Sequence, residues 1–315
     1  MKSIFRHLPL ALLASVAALA ADVAPLKWGR SLLRQKPTWF NSTEGRAAAD
    51  NVVRYQSVEG GWPKNVDLLV PVTDAALAEI QAGGKANTID NQATTIPIQF
   101  LALAAHATGE ATYRTAVDRG LDYLLASQFP NGGFPQFFPL RKGYYAHITF
   151  NDGAMINAVE LLRDVAEARE PFAKIDAARR ARAADAVKRA TACILKTQLK
   201  QDGHLTAWCA QYDEHTLEAA WARKYEPPSH SGAESVGVVR YLMSIEHPSP
   251  EIVAAIEGAV AWFRAVPITG SICLGVAARI AGTLANQFCQ FNPCQNTFGF
   301  AKQLCSSVFL TRNAG

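Results

Sequence analysis

Apolar residues in the body of this chain recur at intervals of three and four rather than two. Ala116, Val117, Leu121, Leu124 and Leu125 form one such stripe, the pattern of a helix with one buried face. Three more apolar stretches each follow a short polar opening. Asp90-Asn91-Gln92-Ala93-Thr94 precedes Ile98, Leu101, Leu103 and Ala105; Asn151-Asp152-Gly153-Ala154-Met155 precedes Ile156, Val159, Leu161 and Leu162; Ser231-Gly232-Ala233-Glu234-Ser235 precedes Val238, Val239, Leu242 and Ile245. Asp, Asn and Ser accept hydrogen bonds from the free N–H groups of a first helical turn, so each opening predicts a helix start. Strict alternation is rare over any long run, which disfavours an all-β fold.

The helical stretches alternate with a repeated glycine signal. Ser57-Val58-Glu59-Gly60-Gly61-Trp62-Pro63-Lys64 returns as Phe129-Pro130-Asn131-Gly132-Gly133-Phe134-Pro135-Gln136, and more weakly as Lys200-Gln201-Asp202-Gly203-His204-Leu205. Each copy follows a helical stretch expected to end in glutamine: Gln56, Gln128 and Gln198. Glycine accepts the left-handed conformation that stops helices, and Pro63 and Pro135 prevent their continuation. The period of roughly 70 residues fits a helical hairpin with its loops, and predicts an all-α fold, an α/α toroid of about three hairpins. Equivalent helix starts would gather at one mouth. Their partial positive charge would suit an anionic ligand.

Composition bounds this picture without changing it. Of 315 residues, 49% are hydrophobic and 18% charged, an ordinary globular balance. The formal charge of +4 includes Lys2 and Arg6 near the start, and is too weak to argue for a nucleic-acid partner. Residues 1–20 combine a basic start, an apolar run from Leu8 to Leu19 and Ala18-Leu19-Ala20, the pattern of a cleaved signal peptide. That run is shorter than the ~20 residues a membrane span needs. A secreted or periplasmic site of action, with no membrane association after cleavage, is therefore expected. A toroid domain is expected over residues 21–268. From about Gly270 the composition shifts: Arg279, Lys302 and Arg312 are the only charges, and Cys273, Cys289, Cys294 and Cys305 crowd the segment. Residues 269–315 read as an atypical tail, through truncation, a shifted frame or a distinct apolar segment. The Arg179-Arg180-Ala181-Arg182 run reads as a solvated helix face.

The candidate chemistry lies in four segments: Thr88-Ile89-Asp90-Asn91-Gln92-Ala93-Thr94-Thr95, Gly132-Gly133-Phe134-Pro135-Gln136-Phe137-Phe138-Pro139, His147-Ile148-Thr149-Phe150-Asn151-Asp152-Gly153-Ala154-Met155 and Tyr225-Glu226-Pro227-Pro228-Ser229-His230-Ser231-Gly232. Together, and in this order, they resemble polysaccharide lyase family 10, the pectate lyases, over about Trp28 to Ile268. The resemblance implies an α/α toroid that cleaves α-1,4-linked polygalacturonate by anti β-elimination. A base removes the proton on C5 and the C4 oxygen leaves. The adjacent carboxylate activates that proton poorly while it keeps its charge. A bound cation withdraws the charge, and Ca2+ suits a set of oxygen ligands.

By resemblance, Asp152 is the first calcium ligand and Asp90, at the equivalent place one repeat earlier, the second. Arg223 matches the family's catalytic arginine. A guanidinium titrates above roughly pH 12, so a base role requires its pKa to fall, for which Ca2+ and the neighbouring Lys224 are the candidates. Lys64, Asn91, Asn151, Lys224 and Tyr225 are candidate substrate contacts. Trp62, Phe134, Trp208 and Tyr212 are further aromatic candidates, and His147 and His230 are expected to support the site through hydrogen bonds. The family also places substrate-binding basic residues in a C-terminal segment, and nothing between Gly270 and Gly315 resembles it. A monomer is expected. Two rival readings use the same residues: an inverting glycoside hydrolase with Asp90 and Asp152 as acid and base, which needs carboxyl groups ~6.5–9.5 Å apart, and a catalytically impaired uronate-binding protein.

Overall fold

A computed structural model describes residues 26–266. The signal peptide over 1–20, the tail over 269–315 with its four cysteines, and the outer limits of the 21–268 domain lie outside the described residues. Within them the chain forms nine α-helices: α1 (Pro37–Phe40), α2 (Thr43–Arg54), α3 (Asp74–Ala82), α4 (Thr95–Thr108), α5 (Ala111–Ser127), α6 (Ala154–Ala166), α7 (Ala177–Lys196), α8 (Gly232–Met243) and α9 (Pro250–Ala265). Three antiparallel hairpins, α4/α5, α6/α7 and α8/α9, pack side by side in an α/α toroid architecture. The inner helices α4, α6 and α8 touch in sequence, and so do the outer helices α5, α7 and α9. Helix α2 lies against α4 and α5 at the start of the arc. No described helix is long and apolar enough to cross a membrane.

Local chemistry explains where the helices begin. Ser42, Thr73, Asp176 and Ser249 accept hydrogen bonds from the first turns of α2, α3, α7 and α9, each stabilising its helix by about 0.5–2 kcal/mol. The inner helices start differently. Before α4 and α6 the chain makes one tight 3-10 turn, Asp90–Gln92 and Asn151–Gly153, with no side-chain cap. The polar openings there are not caps.

The glycine turns also have a different role from helix termination. Helices α2, α5 and α7 end at Arg54, Ser127 and Lys196, and each glutamine sits just beyond. Its side-chain Nε2 donates twice, once within its own turn and once to a helix of the next hairpin. Gln56 bonds the carbonyls of Gly60 and Ala116, Gln128 those of Gly132 and Ala186, and Gln198 those of Thr206 and Ala255, all at 2.7–3.0 Å. The glycine then lets the turn lie flat on that helix. Gly60 and Gly132 have φ of 102° and 95°. A Cβ there would strike the carbonyls of Arg119 and Arg189. In the third copy the turn is a two-stranded ribbon, β2 (Lys200–Gln201) with β3 (His204–Leu205).

The aromatic residues after these turns anchor the core. Trp62 and Trp208 are fully buried, and their indole N–H groups donate to Val52 and Ile194 at 2.7 and 2.8 Å. Phe134 occupies the corresponding place in the second copy, also fully buried. These three and Tyr212 are core residues, so the expectation that they contact sugar is wrong. Cys193 and Cys209 are free and buried, and burial pushes the Cys193 thiol up to about 12. The arginine run lies at the surface, and two of its members also pair across it: Arg179 and Arg182 of α7 meet Asp122 of α5 at 2.7 and 3.0 Å and tie neighbouring outer helices together.

Candidate active site

The turns that open α4 and α6 pack against each other, and the start of α8 packs on the second of them. Three repeats therefore deliver their polar openings to one place. Position within the turn is not shared in the way the sequence suggests. The left-handed residue is Asn91 in the first turn (φ 49°, ψ 28°) and Asp152 in the second (φ 53°, ψ 22°). Asn91 is thus the counterpart of Asp152, and Asp90 that of Asn151. The equivalence expected for Asp90 and Asp152 is off by one residue. Asn and Asp tolerate this backbone region better than other side-chain-bearing residues. In the third repeat, Ser231 is extended (φ −106°, ψ 107°) and α8 begins directly at Gly232.

The two aspartates consequently have different surroundings. Asp90 is buried, at 4% exposure, and its carboxylate forms an ion pair with Lys64, itself partly buried. Asp152 is exposed at the mouth. Its Oδ2 accepts from Asn151 Nδ2 at 2.8 Å, and its backbone N–H points at Glu234 Oε1 at 3.4 Å. Asn91 donates to Asn65 Oδ1 at 3.1 Å. Burial pushes the Asp152 carboxyl above its ordinary range, and the charges of Asp90 and Glu234 push it further; Arg223 and Lys64 act the other way. Packing of the turns brings Asp90 and Asp152 to one place, with Glu234 beside the Asp152 backbone and Lys64 paired to Asp90.

Glu234 is a site residue that sequence reasoning passed over. It lies in the first turn of α8, inside the third polar opening, and accepts from Ser231 Oγ. The available signal was positional: the repeat that lacks an aspartate carries a glutamate one turn further on. The mouth is accordingly more acidic than helix N-termini alone imply, with Asp90, Asp152 and Glu234 converging on it. A second feature missed was Arg30. It donates to Gln92 Oε1 at 3.0 Å and to Asn157 Oδ1 at 3.1 Å, while Asn157 donates to the Gly153 carbonyl at 2.7 Å, so the N-terminal segment braces both turns.

Arg223 stands on an exposed loop with Tyr225, which is 71% exposed, and its guanidinium carbon sits 5.2 Å from the Tyr225 ring centre. Lys224 beside it is exposed. The strongest influence on Arg223 is neither Lys224 nor a lowering one: the Glu226 carboxylate binds its guanidinium and holds its pKa above the usual arginine range. Tyr144, in the turn Gly143–Ala146, feels both Arg223 and Glu226, and pairs with Tyr145 at a ring separation of 4.1 Å. Tyr145 packs edge-on against Phe137, and neither tyrosine had a distinguishing pattern in the sequence. His147 Nδ1 lies 2.9 Å from Glu214 Oε2, and His230 stacks on Trp262 while Nε2 meets Thr206 Oγ1 at 2.9 Å. His147 thus bonds to Glu214 and His230 to Thr206. The ribbon β1 (Ile148–Thr149) with β4 (Gln211–Tyr212) holds the Asp152 turn from behind.

The pectic acid lyase family matches residues 56–275 of this chain. Among solved structures, the family 10 polysaccharide lyase from Cellvibrio cellulosa is similar at 38% identity and a TM-score of 0.62, covering 72% of this chain and 70% of that one. An aspartate-to-alanine variant of that enzyme in complex with trigalacturonic acid is similar at 39% identity and a TM-score of 0.63, with the same coverage. No curated protein matches the chain. The fold and these likenesses define a polysaccharide lyase of all-α architecture. The chain belongs to the pectic acid lyase family, and that membership sets aside the glycoside hydrolase reading of Asp90 and Asp152.

Proposed function

We propose that the protein is a secreted or periplasmic pectate lyase that cleaves α-1,4-polygalacturonate by Ca2+-assisted anti β-elimination. The observation that carries this reading is the charge at the mouth. Three carboxylates converge there: burial raises the Asp152 carboxyl above its ordinary range, and the charges of Asp90 and Glu234 raise it further. A polyanion meets a repulsive site unless a cation intervenes. The donors are hard oxygens from Asp152, Asp90 and Glu234, with the Asn91 and Asn151 amides beside them, a set that suits Ca2+ rather than a softer metal.

Asp152 is the exposed member and the first ligand; Asp90, oriented by Lys64, is the second. Ca2+, when bound, supplies a positive charge that offsets the uronate carboxylate and makes its neighbouring C5 proton more acidic. Lys64, beyond its contact with Asp90, offers its remaining N–H groups to an incoming substrate carboxylate. Tyr225 offers an exposed ring face to a sugar, and Lys224 and Asn91 are further polymer contacts. Arg223 takes the C5 proton in its neutral form, or, while charged, stabilises the negative charge that develops on the carboxylate. The similar enzyme bound to trigalacturonic acid supports the choice of polymer.

The test is the unsaturated product, followed by its ultraviolet absorbance, from polygalacturonate at alkaline pH with and without Ca2+. Product that vanishes with a chelator and returns with Ca2+ supports the proposal. Binding of polygalacturonate without product supports instead the impaired uronate-binding protein.

A further inference from the structure

Behind the mouth, the ribbon of β1 and β4 runs out into three metal-capable side chains that the proposed chemistry does not use. Antiparallel pairing of Ile148 with Tyr212 sets His147 across from Asp213, and Glu214 follows. One ligand atom from each of His147, Asp213 and Glu214 lies within 4.8 Å of the other two, and all three residues are half-buried. Zn2+ binds imidazole nitrogen and carboxylate oxygen at about 2.0–2.2 Å, which sets tetrahedral neighbours roughly 3.3 Å apart. His147 Nδ1 and Glu214 Oε2, at 2.9 Å, are already near that spacing.

The donors are held from outside the trio. Asp213 Oδ1 accepts from the backbone N–H groups of Thr216 and His215 at 2.8 and 2.9 Å, which hold the carboxyl below its ordinary range and leave Oδ2 for an ion. Asn131 Nδ2, in the second glycine turn, donates to the Glu214 carbonyl at 2.8 Å. Among the described residues neither carboxylate pairs with a lysine or arginine, and Glu214 meets only His147 and His215. Acids withdrawn from water without a compensating cation are costly.

A separate observation points to a hydrated ligand. Two residues along the strands, on the same face of the ribbon, Thr149 pairs with Gln211. Both are buried, at 0% and 2% exposure, and Thr149 Oγ1 and Gln211 Oε1 have no hydrogen-bond partner among the described residues. Buried oxygens in this state call for water or an ion beside them. Water bound to an ion in the trio supplies the missing donors.

We propose that His147, Asp213 and Glu214 form a second metal site, for a first-row divalent ion of the Zn2+ class, separate from the Ca2+ ligands at the mouth. The imidazole sets the preference, because Ca2+ takes oxygen ligands whereas nitrogen suits Zn2+. With water in the fourth place, the ion clamps the ribbon to the loop that Asn131 ties to the second glycine turn. It stiffens the support of the Asp152 turn and takes no part in cleavage.

The test titrates Zn2+ into the full chain, stripped of metal and then saturated with Ca2+ to fill the mouth. Calorimetry compares wild type with His147→Ala, Glu214→Gln and Asp213→Asn, the last of which keeps an acceptor for Thr216 and His215. Each variant is expected to bind one Zn2+ fewer than wild type, a difference from which sulfur ligands elsewhere in the chain cancel. Asp152→Ala keeps the extra equivalent. In 15N NMR, Zn2+ but not Ca2+ is expected to shift the His147 ring nitrogens. A wild type that binds no more Zn2+ than the variants overturns the proposal, as does a His147 ring that Zn2+ leaves unmoved. Loss of the extra equivalent in Asp152→Ala places the ion in the mouth and overturns it too. Should His147→Ala fail to fold, Glu214→Gln and Asp213→Asn decide. None of these readouts involves cleavage, so the result is independent of what the chain does to polygalacturonate.

Discussion

Asp152 is the residue on which the proposed chemistry turns, and its backbone explains why it can serve. At φ 53° it sits in the left-handed region, one residue before Gly153, which is also left-handed at 69°. This double turn pushes the carboxylate out of the helix start, where a capping aspartate would have spent it on backbone N–H groups. Asp152→Ala removes the exposed ligand. Chelator-sensitive activity is expected to fall by at least about 100-fold, the scale on which single electrostatic contacts in active sites act. The circular dichroism spectrum should be unchanged. Glu234→Gln tests the charge crowding. Glu234 raises the Asp152 carboxyl, so removing its charge moves the Asp152 titration to lower pH, readable in metal-free protein as a shift of the Asp152 carboxyl carbon resonance. An unmoved titration would remove Glu234 from the site. At this scale the sequence was partly legible. Asp90, Asp152 and Lys64 stand in the repeated segments, and the structure brings them together. Glu234 stands in one too, but its nearness to the Asp152 backbone comes from how the start of α8 packs on the second turn, and no spacing along the chain records that.

Among the elements, the glutamine staples carry the repeat. Each joins the turn after an outer helix to the next outer helix by two hydrogen bonds from one buried or half-buried amide. Gln198→Ala leaves the carbonyls of Thr206 and Ala255 without that donor, and an unsatisfied buried group costs about 1–3 kcal/mol. The chemical denaturation midpoint should fall accordingly. Gln128→Ala, where the amide also accepts from Arg189, should behave similarly. Gly132→Ala is predicted to be worse than either, since φ is 95° and the added methyl meets the Arg189 carbonyl. The period, the glutamines and the glycines were all visible beforehand. Their purpose was misread: glycine was expected to stop helices, whereas it permits close approach of a turn to the next hairpin. The distinction lies in what faces the glycine from about 60 residues away in the chain, information that local propensity does not hold.

For the whole molecule, three hairpins in an arc bring helix starts to one mouth, which periodicity alone predicted. The sign of the charge there was predicted less well. Helix N-termini attract anions, yet the acids placed on them invert the field and turn an anion site into one suited to a cation. An acidic substrate polymer then makes sense only together with a divalent ion. In the proposed chemistry cleavage is metal-dependent through the mouth as a whole, and the most direct measurement is Ca2+ binding to the purified protein by calorimetry, paired with product formation from polygalacturonate. Wild type is expected to bind Ca2+ and form unsaturated product, and Asp152→Ala to lose both together. Full elimination activity in Asp152→Ala, or in wild type treated with excess chelator, would contradict it.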